Sequence, residues 1–168
     1  MIFFRLSSIL GLMLILTGLC VSAQEIKTLN VGDEMPDYAM VDVNDSIQKF
    51  SSFKGKYVFL DIWASWCFPC IKEYPFMAEL EKKFENKNIV FVGLSCDDIK
   101  WRWQGAMGGY HIGGIQYLLK DKAFMKSLRV DRIPRYILLD PEGKIVEWEM
   151  SRPSDPKTEG ILSKLNRI

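Results

Sequence analysis

Two cysteines separated by two residues, Cys67 and Cys70 in Trp66-Cys67-Phe68-Pro69-Cys70, carry the clearest chemistry in this sequence. Disulfide exchange needs one thiolate to attack and a second thiol close enough to resolve the mixed disulfide. A Cys-x-x-Cys pair at the start of a helix supplies both, because unpaired backbone N–H groups there favour negative charge on the first sulfur. Cys67 is expected at that point and exposed, with Cys70 one turn inside. Lowering a thiol pKa from about 8.5 to about 7 raises its thiolate fraction at neutral pH roughly 15-fold. Reduced nucleophilicity takes back about 5-fold. The larger gain lies in the intramolecular attack by Cys70. Zinc ligation is the competing use of such a pair, but the remaining candidates, Cys96 and His111, stand at irregular spacing. Haem attachment would need a His where Ile71 stands.

These cysteines must be positioned by the elements around them. Tyr57 to Trp63 is a short, nearly continuous apolar run, as expected of a strand buried on both faces, and Ile89 to Leu94 is another. Between them Tyr74, Met77, Leu80 and Phe84 recur at helical spacing. Strand, helix and strand over this length make a βαβ unit. Pro75 lies within the helical pattern and is expected to kink it. Upstream, segments from Asp37 to Val43 and from Ile47 to Phe50 flank Asn44-Asp45-Ser46 and read as a β-hairpin. Downstream, Asp121 to Leu128 reads as a helix. Strands Arg135 to Asp140 and Ile145 to Trp148 flank the turn Pro141-Glu142-Gly143-Lys144, so they must be antiparallel. Asp155 to Leu165 reads as a final helix. The glycine-rich stretch from Gly105 to Gly114 lacks the Lys-Ser/Thr ending of a phosphate loop and reads as a mobile connection. Trp101 and Trp103 beside it read as packing residues.

The 168 residues suffice for one compact α/β domain. Arg5, the apolar run Leu6 to Val21, and Val21-Ser22-Ala23 follow the order of a secretory signal cleaved after Ala23. An uncleaved tether through residues 6–21 and lipid modification of Cys20 are the alternatives, and each places the remaining domain, 24–168, outside the cytoplasm. Cleavage leaves Cys67, Cys70 and Cys96, an odd number that argues against a framework of structural disulfides. Lys and Arg total 22 against 21 for Asp and Glu, a balance that gives no sign of nucleic-acid binding.

The segment from Asp61 to Cys70, with Pro75 and Ile133-Pro134, resembles the thioredoxin superfamily. The signal, the added N-terminal hairpin and Cys70-Ile71-Lys72-Glu73-Tyr74-Pro75 resemble its extracytoplasmic TlpA/ResA-like branch. The resemblance covers residues 32–168. It implies a thioredoxin-like fold: a central mixed β-sheet flanked by helices, with the hairpin added. It implies thiol–disulfide exchange with no cofactor beyond the cysteine pair, Cys67 attacking and Cys70 resolving. Pro134 matches the family's cis proline, where the backbone of Ile133 contacts substrate. Asp61 matches a buried acid that moves the resolving thiol's proton, and Glu73 a carboxylate near the disulfide. Having both acids leaves open which takes the proton. Arg135 stands where Thr is common and, with Trp66, is a candidate substrate contact. The implied partners are protein disulfides and a membrane electron donor.

The Phe68-Pro69 interior lacks the His that accompanies strong oxidants in the family, which favours a reductase. The alternatives are a thiol peroxidase, against which Ala64 stands where peroxiredoxins carry Thr, and a binding module without turnover, against which both cysteines are intact. Cys96 reads as a buried inert thiol, with a third redox centre as its alternative.

Overall fold

The computed structural model describes residues 26–121, 123–166 and 168; the segment read as an export signal lies outside them. A seven-stranded sheet organises the chain. β1 (Met40–Val41) and β2 (Ile47–Gln48) form the N-terminal hairpin, shorter than expected because the chain turns into a 3-10 segment at Phe50. β3 (Tyr57–Trp63) and β4 (Ile89–Ser95) follow, then β5 (Ile115–Leu119), β6 (Arg135–Leu139) and β7 (Ile145–Glu147). The strand order is β2-β1-β5-β4-β3-β6-β7. β3, β4 and β5 are mutually parallel, and β1, β6 and β7 join antiparallel to their neighbours, so the sheet is mixed as expected.

Every residue of β3 is buried, which is why its sequence runs apolar without alternation. Its even positions Val58, Leu60 and Ile62 pack with Phe124 of α4 (Ala123–Ser127) and with Leu128 just after it. Its odd positions Tyr57 and Phe59 face Met77, Leu80 and Phe84, and Leu162 of α5 (Pro156–Leu162). Asp155 caps α5, its carboxylate accepting from the Lys157 amide.

Two expectations need correction. The helix after the cysteines is not kinked at Pro75 but divided before it, into α1 (Phe68–Ile71) and α2 (Tyr74–Lys83). Pro75 sits in the first turn of α2, where its missing N–H has no intrahelical partner to lose. The glycine-rich stretch is not a loose connection either. Gly105, Gly108 and Gly109 belong to α3 (Lys100–Gly109), and the residues after it lead directly into β5. Trp103, fully buried, anchors α3 in a cluster with Trp63, Cys67 and Cys70, and that burial offsets the poor helix propensity of glycine. Trp101, in contrast, is exposed.

Candidate active site

β3 ends at Trp63, inside the sheet, and Ala64, Ser65 and Trp66 turn the chain from its C-terminal end into α1. Cys67 caps that helix. Its carbonyl accepts from the amides of Cys70 at 2.9 Å and Ile71 at 3.1 Å, and its Sγ accepts from the Cys70 amide at 3.3 Å. A single turn has little macrodipole, so this local amide is the main source of positive potential at the sulfur. Cys67 and Cys70 are joined in a disulfide, their Cα atoms 5.3 Å apart.

Cys67 is less open than its sequence position suggests: 4% exposed, against 0% for Cys70. The cause is packing, since both belong to the cluster built by Trp63, Trp103 and Ile112. The exposed flanks are Trp66, at 67%, and Phe68, at 60%.

Facing this turn, the Ile133–Pro134 peptide is cis. Trp66 and Ile133 line a cavity of about 610 Å³, with Cys96, Leu119, Met125 and Val130 among its apolar walls. Cys96 is a free thiol whose pKa burial, reinforced by the charge of Asp97, pushes up to about 11. It is therefore protonated at neutral pH and a poor nucleophile. Arg135 does not open onto this groove. It is 3% exposed, its guanidinium 3.1 Å from Glu149 and 4.8 Å from the Trp148 ring centroid. Its side chain is committed within the chain rather than offered to a partner.

The two acids occupy different settings. Glu73 stands at the N-cap position of α2 without capping it through its side chain; the carboxylate instead accepts from the Ser154 amide at 3.0 Å and hydroxyl at 3.1 Å, with Arg152 at 3.7 Å. Asp61 lies inside β3, and its Oδ1 has no hydrogen-bond partner. Burial pushes its pKa up to about 7, and the Glu73 charge adds to the rise. The nearby Tyr74 hydroxyl opposes it, although neither Tyr74 Oη nor Asp61 Oδ1 reaches good hydrogen-bond geometry.

Two further residues escaped the sequence reading. Asp97 is buried beside the disulfide turn, accepting from the Ser65 amide at 2.8 Å and hydroxyl at 2.7 Å, and from the Ser95 hydroxyl at 2.7 Å. Tyr74 counted as one apolar position in a helical stripe; its hydroxyl is what the stripe conceals. Among the described residues, no group of three His, Cys, Asp or Glu side chains gathers to hold a metal ion.

The Redoxin family profile matches residues 30–162. The chain belongs to this family. A thiol–disulfide oxidoreductase ResA of Bacillus subtilis (strain 168) is 31% identical over 121 residues, covering 72% of this chain and 68% of the relative. A provisionally assigned thiol–disulfide oxidoreductase from Bacteroides vulgatus superposes with a TM-score of 0.76 at 35% identity, over 80% of this chain and 96% of that one. The thioredoxin domain of another Bacteroides vulgatus thiol–disulfide oxidoreductase gives 0.73 at 30% identity, over 82% and 98%. With its bonded Cys67–Cys70 pair, the chain is a ResA-like thiol–disulfide oxidoreductase of thioredoxin-like fold.

Proposed function

We propose that this oxidoreductase reduces disulfides of proteins outside the cytoplasm. The observation that carries the reading is the Cys67–Cys70 pair at the head of α1, beside a groove between Trp66 and Ile133. In the reduced enzyme the Cys67 thiolate attacks a substrate disulfide, whose S–S bond breaks and whose departing sulfur takes a proton. Cys70 then gives its proton to Asp61 and attacks Cys67. The second substrate thiolate leaves, and the Cys67–Cys70 disulfide forms. Two electrons pass from dithiol to substrate.

Asp61 suits the proton-accepting role better than Glu73. A carboxyl with a pKa of about 7 both takes and returns a proton near neutral pH. The Glu73 carboxylate is already occupied by Ser154 and Arg152. Trp66 and the backbone at Ile133 and Pro134 bind the substrate chain. Residues 1–23 export the domain 24–168 or tether it through 6–21, and a membrane donor restores the dithiol, since that compartment is oxidising.

Replacing Cys70 by Ala removes the resolving thiol. The variant is expected to accumulate mixed disulfides on Cys67 in cells, identified by mass spectrometry after alkylation. Absence of any such adduct, with the variant folded and Cys67 reactive, would overturn the exchange reaction.

A further inference from the structure

The strand registers place a polar row across the centre of the sheet. Asp61 of β3 pairs with Tyr136 of β6 on one side and Gly93 of β4 on the other, and Gly93 pairs with Gln116 of β5. A polar line through a core costs free energy unless its groups find partners. Most of this one is built with care. A Cβ on Gly93 would collide with the Gln116 carboxamide, so the missing side chain lets Gln116 lie across the sheet. There its Oε1 accepts from Trp63 Nε1 at 3.1 Å, while its Nε2 donates to the Gly113 carbonyl at 3.0 Å.

Above the row sits Tyr74, the first residue of α2, its ring edge-on to Trp63 with centroids 5.3 Å apart. Its hydroxyl is buried and unpartnered, as is Asp61 Oδ1. One is a donor and one an acceptor, and the hydroxyl lies near enough to Asp61 to favour its charged form without reaching good hydrogen-bond geometry. Tyr136 Oη is orphaned too, but its ring is stacked on Phe59 with centroids 5.6 Å apart.

We propose that Tyr74 is the positioning residue for proton transfer at the active site: its hydroxyl donates to the Asp61 carboxylate when that group ionises, and Trp63, itself bonded to Gln116, holds its ring ready. Ionised Asp61 is the form that accepts the Cys70 proton. Tyr74 thus sets the fraction of enzyme able to resolve a mixed disulfide at a given pH. The opposing influences around Asp61 are burial and the charge of Glu73. The other titratable groups of this neighbourhood are Tyr136 from β6, Cys70 from α1, and Arg152, which faces Glu73 and Tyr136. Removing the Tyr74 donor leaves the forces that disfavour ionisation unopposed.

This inference rests on Asp61 as the proton acceptor, and the test separates the two. Single-turnover oxidation of the reduced enzyme by insulin is followed from pH 5 to pH 9 for wild type, Asp61→Asn, Tyr74→Phe and the double variant. The Asp61 carboxyl titration is read in parallel by carbon NMR. Tyr74→Phe keeps the ring against Trp63. It is expected to move the Asp61 titration and the matching limb of the rate profile upward by about one pH unit, the worth of one hydrogen bond to a charged group. Rates below the limb then fall about tenfold while the high-pH plateau stays. In the Asp61→Asn background the same change has no effect on the limb, and the remaining limb belongs to Cys67. If Asp61→Asn resolves as fast as wild type at every pH, the Asp61 assignment fails. If Asp61→Asn is slow but Tyr74→Phe leaves both titration and limb unmoved, the Tyr74 proposal alone fails. Should Tyr74→Phe not fold, 3-fluorotyrosine at position 74, a stronger donor of nearly the same shape, must move the limb to lower pH; an unmoved limb again overturns the proposal.

Discussion

Asp61 and Asp97 are both buried aspartates close to the disulfide turn, and the structure treats them in opposite ways. Asp97 meets three donors, the Ser65 amide, the Ser65 hydroxyl and the Ser95 hydroxyl. A carboxylate so enclosed has its lost hydration replaced, and it ties the loop entering α1 to the end of β4. Asp61 has a bare Oδ1 and a pKa near 7. Its hydration is not replaced, so its charge is expensive and its proton is exchangeable. Burial alone therefore does not mark a functional acid. The mark is burial without matching donors, at a place where another group has a proton to give.

Stability against pH is the strongest way to break this contrast. Asp61 has a folded pKa raised from 3.8 to about 7. Below the lower value both folded and unfolded chains hold the proton, and the site costs nothing. Between the two values the unfolded chain releases its proton while the folded chain keeps it, so stability falls as pH rises and levels off above about 7. The full swing is on the order of 4 kcal/mol. Asp61→Asn removes the ionisation and should flatten this slope in the oxidised protein, measured by urea denaturation from pH 4 to pH 8. Curves for wild type and variant that run parallel would mean that Asp61 ionises without penalty, and the contrast with Asp97 would disappear.

Asp97→Ala tests the other half. It strands three donors near the disulfide turn and should destabilise the protein by about 3 kcal/mol. Amide exchange at Ser65 should accelerate. A loss below about 1 kcal/mol would show that the clamp is dispensable.

How far the sequence reveals such contrasts depends on the range of the signal. β3 is legible to the residue, because a strand buried on both faces must be apolar throughout. The cysteine pair is legible because its chemistry fixes its spacing. α3 is not, since its glycines mask a helix held by the burial of Trp103 and Ala106, whose spacing of three was the available clue. β5 follows it and was missed with it. The exposure of Cys67 was overestimated because the covering residues Trp103 and Ile112 arrive from a distant part of the chain. The roles of Ser65, Ser95 and Asp97 depend on a contact across 32 residues, and no local pattern announces it. The polar row is hidden for the same reason: Tyr136, Asp61, Gly93 and Gln116 become neighbours only once four strands are in register.

Gly93→Ala sharpens the contrast with the smallest perturbation. The three atoms nearest the new methyl group all belong to the carboxamide of Gln116, the far end of a flexible side chain, which can yield before the backbone of β4 does. Gln116 must swing away, which breaks its bonds to Trp63 Nε1 and Gly113 and leaves a buried indole N–H without an acceptor. An unpaired neutral donor costs about 1–3 kcal/mol, and replacing glycine returns about 0.5–1 kcal/mol through the unfolded chain. The net loss should be about 1 kcal/mol. The Trp63 indole resonance should shift in the proton–nitrogen NMR spectrum, while the Ser65 amide, bonded to Asp97, stays in place. If the Ser65 amide moves as far as the Trp63 indole, the two acids share one mechanical unit, and they must be treated as a single site rather than as opposites.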